Sequence, residues 1–133
     1  MNNVVKIYLN CYRKLNKSNL EKMMKIVDED IVFYDPFHSI KGKEKLKALL
    51  NKFIEKFGEI NFKILKVMNN NQHYLVKWNL LILYRDKKIK FDGISELTLR
   101  NGLIISHIDY WDSGRNFYAN LPFIGKIFQL VHN

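Results

Sequence analysis

Apolar residues open the chain at helical spacing. Val4, Ile7, Tyr8, Cys11 and Leu15 stand three or four apart, which sets them on one face of a helix. Ser18 followed by Glu21 has the form of a capping box, and Leu20, Met23, Met24 and Val27 give the helix behind it an apolar side. Ile31 to Asp35 reads as a short strand stopped by Pro36, and a third helix opens after Gly42, burying Leu46, Leu49, Leu50, Phe53 and Phe57. From Ile60 the period drops to two. Ile60, Phe62, Ile64 and Val67 begin a strand that ends at Asn69-Asn70-Asn71; His73 to Tyr84, Ile89 to Leu99 and Leu103 to Trp111 follow, with short polar turns between them. That is the pattern of an antiparallel meander. A last helical stretch is expected from Ser113, interrupted by Pro122. Helices followed by a long sheet predict one α+β domain over residues 1–133, with the helices covering one face of a curved sheet.

The turns predict a register. Asn101-Gly102 can form a two-residue type I′ turn, or a three-residue loop together with Arg100. The three-residue loop separates an apolar face from a polar one. It sets Leu97 opposite Ile105, Leu99 opposite Leu103 and Phe91 opposite Trp111, with Glu96 facing Ser106 on the other side. A turn at Asp86-Lys87 then pairs Val76 with Leu97, Trp78 with Ser95, Leu80 with Gly93 and Ile82 with Phe91, and brings Lys77 to Glu96 as a cross-strand charge pair. The predicted inner face is apolar, from Val76 to Ile82 and Phe91 to Leu99, and on to Ile105 and Trp111. Ser95, His107 and Asp109 interrupt it. Gly93 marks a bend in the sheet or a place where a ligand needs room.

Composition narrows the class. The 133 residues are 47% apolar and 14% aromatic, so the chain has a core and is not disordered. No apolar run reaches the roughly 18 residues of a membrane span, and the start of the chain has no signal-peptide pattern. Cys11 is the sole cysteine, which precludes an internal disulfide and disfavours a cysteine-based zinc site. A reducing cytoplasm is therefore expected. The net charge of +9 raises nucleic acid as a partner, but 18 Lys stand against 4 Arg and they are scattered. Arginine would lead on a surface built for bidentate phosphate or base contacts, so the reading is a solvated surface and no nucleic acid.

Asp109 is the most informative residue. A carboxylate on an apolar sheet face must be paired, hydrated or protonated, and burial is how a protein makes a carboxyl into a general base near neutral pH. His107 is its expected partner, and Ser95 a polar neighbour. Asp35, at the end of the first strand before Pro36, is a second candidate base, although an Asp in that position is also a common turn former. Tyr12, Tyr34, Tyr110 and Tyr118 are candidate donors, and His38 is expected in a solvated loop. Trp78, Phe91, Ser95, Trp111, Tyr34 and Gly93 are expected to line a pocket. No Gly-rich phosphate loop, metal-ligand motif or nucleophile elbow occurs, so no cofactor and no metal are expected.

Several short stretches resemble the nuclear transport factor two-like superfamily, in its SnoaL-like, ketosteroid-isomerase-like and limonene-epoxide-hydrolase-like branch. They are Leu15-Asn16-Lys17-Ser18-Asn19-Leu20, then Ile31 to Pro36 with Gly42, then Asn101-Gly102-Leu103-Ile104, then His107-Ile108-Asp109-Tyr110-Trp111-Asp112 followed by Phe117-Tyr118 and Leu121-Pro122. Their order covers the whole chain. The resemblance implies a cone, a cystatin-like α+β roll in which a curved antiparallel sheet wraps around helices and encloses an apolar pocket. It also implies that Asp35 stands at the base position of ketosteroid isomerases, whose oxyanion-hole positions are held here by Cys11 and Ser95. Asp109 matches one Asp of the epoxide hydrolases, whose Arg and second Asp are replaced by Val76 and Trp78. The expectation is a small apolar ligand in the pocket, with carboxylate acid–base chemistry of the isomerase, cyclase or hydrolase type; a non-catalytic ligand-binding or protein-interaction module is the alternative. A homodimer is expected. The apolar segment from Leu121 to Val131 is expected to close the cone or join that dimer rather than lie on a membrane.

Overall fold

The computed structural model describes residues 1–111, so the calls on the C-terminal helix, the Leu121 to Val131 segment and Tyr118 lie outside the described residues. Three helices pack on a six-stranded sheet. They are α1 (Asn3–Arg13), α2 (Lys17–Met24) and α3 (Lys43–Phe57). The strands are β1 (Val27–Tyr34), β2 (Ser39–Lys41), β3 (Asn61–Asn70), β4 (His73–Tyr84), β5 (Lys87–Arg100) and β6 (Leu103–Tyr110), in the spatial order β2-β1-β6-β5-β4-β3. From β3 to β6 the sheet is the expected antiparallel meander. β1 then joins β6 in parallel, Phe33 beside His107, so the sheet is mixed. The helices cover its concave face, as expected for an α+β cone. Among the described residues no helix is long and apolar enough to cross a membrane.

Local chemistry explains the ends of the helices. Asn2 caps α1 by accepting the Val4 amide at 2.7 Å. Asn16, rather than Ser18, caps α2, accepting the Asn19 amide at 2.9 Å. The buried face of α1 is Val5, Tyr8, Leu9, Cys11 and Tyr12, rotated from the expected one, and Ile7 is 44% exposed. The rotation sets Tyr8 and Tyr12, one turn apart, against the sheet. Leu15 follows the helix and pairs by backbone with Ile60. Val27 belongs to β1, not to α2, and Phe53 and Phe57 are only partly buried, with Ile54 taking the core position.

Both predicted registers need correction, and the turns give the reason. Arg85 and Asp86 both have positive φ, 49° and 64°, so the β4–β5 turn has two residues. Val76 therefore pairs with Ser95, Trp78 with Gly93, Leu80 with Phe91 and Ile82 with Ile89. The shift is two residues along β5, which leaves every side chain on its predicted face. Lys77 meets Ile94 and Glu96 meets Leu75, so the expected charge pair is absent. Asn101 and Gly102 also have positive φ, and Arg100 pairs with Leu103 and Leu99 with Ile104. This is the two-residue turn. The ladder then slips between Thr98 and Leu99, and Thr98 pairs with Ser106. Ile105 is the extra residue, a bulge. It puts Ile104 into the core in place of Ile105, fully buried, and returns His107 and Asp109 to the inner face, opposite Leu97 and Ser95.

Gly93 has a packing reason. The indole of Trp78 lies across it, and a Cβ at this position would stand 2.3 Å from two indole carbons. Gly93→Ala should force the indole aside and cost about 1–3 kcal/mol, the usual range for overpacking, read as a lower midpoint in denaturant unfolding. A wild-type midpoint would mean that the indole moves without cost.

Candidate functional site

A hydrogen-bonded chain crosses the inner face at Asp109. Its Oδ1 accepts from Ser95 Oγ and from His107 Nε2, the latter at 2.7 Å. Ser95 in turn accepts from the indole of Trp78 at 2.8 Å. With Nε2–H given to the carboxylate, His107 Nδ1 accepts from the Tyr8 hydroxyl at 2.7 Å, and the Tyr8 oxygen is 3.4 Å from that of Tyr12, which can donate to it. The chain draws its members from four elements: Trp78 from β4, Ser95 from β5, His107 and Asp109 from β6, and Tyr8 and Tyr12 from α1. Ser95 and His107 are the only buried polar residues among the described ones. Asp109 Oδ2 accepts no hydrogen bond among the described residues. Burial pushes the hydroxyls of Tyr8 and Tyr12 well above their ordinary range, so both remain neutral donors.

Asp35 lies beside this chain because β1 runs parallel to β6. Pairing of Phe33 with His107 and Tyr34 with Ile108 brings the next residue, Asp35, alongside Asp109. Its Oδ1 accepts the amides of Phe37 at 2.8 Å and His38 at 2.6 Å. This is the turn-forming role. The imidazole of His38 completes it, with Nδ1 2.8 Å from both carboxylate oxygens. His38 is thus packed on Asp35 rather than solvated, its side chain 6% exposed.

Both carboxylates line one apolar cavity of about 110 Å³. Its walls include Tyr12, Phe37, His38, Phe62, Trp78, Phe91 and Trp111. This volume is well below the roughly 300–1,000 Å³ of sites for drug-sized ligands. Ser95 and His107 line a second, smaller cavity of about 20 Å³ behind it, which Asp109 shares. Of the residues singled out from the sequence, Asp35, Asp109, Trp78, Phe91 and Trp111 meet at the main cavity. His107 and Ser95 stand behind Asp109. Tyr34 is 40% exposed and lines neither cavity, and Gly93 lies under the Trp78 indole. Sequence reasoning missed Tyr8 as a hydrogen-bond partner and His38 as part of the wall. Tyr8 and Tyr12 at one-turn spacing were the available signal for the first; for His38 it was its place three residues after Asp35. Cys11 is buried on α1, and burial raises its thiol pKa.

A family model for the SnoaL-like domain matches residues 9–107. Among solved structures, an LEH-like epoxide hydrolase of M. tuberculosis superposes with a TM-score of 0.76 at 17% identity, over 95% of this chain and 92% of that one. A Catenulispora acidiphila protein with a ketosteroid isomerase-like fold, in complex with trimethylamine, gives 0.73 at 12% identity, over 87% and 90%. A SnoaL-like polyketide cyclase from Jannaschia gives 0.69 at 12% identity, over 82% and 85%. At these identities the likeness is one of fold. No curated protein matches in sequence.

The two raised tyrosines make an alkaline prediction. Their neutral form is favoured by the fold, so this stabilisation is complete below the ordinary tyrosine value of 10.0 and is lost as pH rises toward their folded values. Ultraviolet titration should show at least two of the seven tyrosines ionising only as the fold is lost, with unfolding midpoints falling above that pH. Seven tyrosines titrating together, with stability unchanged, would refute it.

Proposed function

The chain belongs to the SnoaL-like domain family, and from that premise we propose that it is a small enzyme acting by acid–base chemistry on a ring-sized apolar molecule, with Asp109 as the base. The observation that carries this reading is the division of labour within one carboxylate. Oδ1 is held by Ser95 and His107, and Oδ2 is left without a partner among the described residues, on a residue of the cavity wall. A base needs a fixed position and a free lone pair facing its substrate. His107, oriented by Tyr8, positions the carboxylate through its bond to Oδ1. Asp35 serves as a wall and turn residue, since its oxygens are engaged by two amides and His38. The reaction class is isomerisation, cyclisation or hydrolysis, each of which needs a positioned carboxylate to take a proton, from the bound molecule in the first two and from a water molecule admitted beside it in the third. The solitary buried thiol, Cys11, fits a cytoplasmic setting.

A β,γ-unsaturated cyclohexenone tests proton abstraction beside a carbonyl, and cyclohexene oxide tests water addition. Turnover of one of them by the wild type is expected, and Asp109→Asn should reduce it roughly 10²–10⁴-fold, the contribution of a positioned general base. Equal turnover by the variant would overturn the assignment. The second reading, a ligand-holding module without turnover, is favoured by the aromatic walls; saturable binding of either probe by a wild type that converts neither is its signature.

A homodimer through the convex face of the sheet completes the proposal. Met68 and Leu75 are neighbours there, as are Ile94 and Tyr110, and all four are exposed. Contiguous exposed apolar side chains mark contact surfaces. Sedimentation should give twice the chain mass of 15.9 kDa, and Ile94→Lys should give the monomer. A monomeric wild type would remove the dimer.

A further inference from the structure

The walls of the main cavity are continuous aromatic rings. Tyr12 meets Phe62 at 5.3 Å between ring centroids, Phe62 meets Trp78 at 5.2 Å, and Trp78 meets Phe91 at 6.2 Å. Phe91 meets Trp111 at 5.3 Å, and Trp111 meets Phe37 at 5.4 Å. All six rings line the cavity, and the belt they form ends at the Asp35–His38 turn. Four of these five contacts are edge to face, so successive rings are turned against one another along the belt.

The charged groups on these walls have one sign. The chain carries 22 Lys and Arg against 13 Asp and Glu, yet among the described residues no Lys or Arg lines either cavity, whereas Asp35 and Asp109 do. Each carboxylate is met by an imidazole, Asp35 by His38, which also lines the main cavity, and Asp109 by His107, which lines the smaller one. The cavity is thus an acidic, aromatic interior within a basic exterior. Ring faces are electron-rich and attract cations, most strongly where water is excluded. A carboxylate oxygen without a partner, on Asp109, adds a full charge.

We propose that the cavity selects a small organic cation, an ammonium head with apolar substituents, over neutral molecules of the same shape, and rejects anions. The proposal rests on the reading of this cavity as a ligand site and names the class of its ligand. The aromatic belt supplies the surface and Asp109 the counter-charge.

The test compares three compounds of matched bulk by calorimetric titration of the full chain: choline, its neutral isostere with carbon in place of the quaternary nitrogen, and pivalate. Choline should bind about tenfold more tightly than the isostere, and pivalate should not bind. Asp109→Asn should weaken choline about tenfold and leave the isostere within about twofold. Phe91→Leu, in which a partly buried ring is lost and the carboxylate is kept, should also weaken choline more than the isostere. Circular dichroism confirms that each variant is folded. Equal binding of choline and isostere, a preference unaffected by both variants, or binding of neither compound would overturn the proposal. Loss of cyclohexenone or epoxide turnover in Asp109→Asn without any preference for choline would leave Asp109 as the base and remove only the cationic ligand class.

Discussion

A carboxylate on the concave face of a sheet is the constraint from which the interior follows. Asp109 side-chain exposure is 16%, and a charge so far from water must be compensated. Ser95 and His107 donate to it, and each then has a further atom to satisfy. Trp78 reaches Ser95, and Tyr8 reaches His107 from α1. The Trp78 indole needs Gly93 beneath it. Removing one member of such a buried pair typically costs about 3–5 kcal/mol, because the other member is left uncompensated. One residue of sequence decides whether any of this exists. The tight Asn101-Gly102 turn alone would put Glu96 across from His107. The bulge at Ile105 turns His107 and Asp109 inward.

That bulge also shows what was legible in the sequence and what was not. The period change from helix to strand, the meander and the bounds of β4 follow from local patterning, and the structure agrees. Face assignment along β4 and β5 survived an error of two residues in register, since alternation repeats every two. The β5–β6 register needed information that patterning lacks. A clean apolar face argued for a three-residue loop, whereas the chain takes the two-residue turn favoured by Asn-Gly and corrects the face with a bulge further along. The parallel seam of β1 with β6 joins the two ends of the described chain, and only tertiary packing specifies it. That seam is what brings Asp35 beside Asp109. The pairing of His107 with Asp109, two residues apart on one strand face, was visible from alternation; Tyr8, on a distant helix, was not.

Charge is segregated by depth. Among the described residues no lysine lines either cavity, and the two cavity carboxylates are each met by an imidazole rather than by an ammonium or guanidinium group. A lysine in Asp109's surroundings would have paired it permanently and filled the space. An imidazole with a hydroxyl behind it compensates the carboxylate and can still exchange a proton. Ser95 and His107 therefore lie behind the wall, in the smaller cavity, and the larger one is lined by rings, aliphatic side chains, the two carboxylates and His38.

The two carboxylates are alike in partner type and opposite in use. Asp35 receives two backbone amides at the start of a tight turn, and those bonds are made by the chain whether or not a ligand is present. His38 reaches both of its oxygens. Protonating Asp35 would weaken the acceptor of both turn amides and its contact with His38. Asp109 receives only side chains, both on one oxygen, from two strands whose backbone bonds do not depend on it. Gaining a proton there changes the occupancy of a side-chain network and leaves the sheet in place. A site that must cycle between charged and neutral forms can do so only at the second kind of carboxylate, and the fold provides one of each on the same wall.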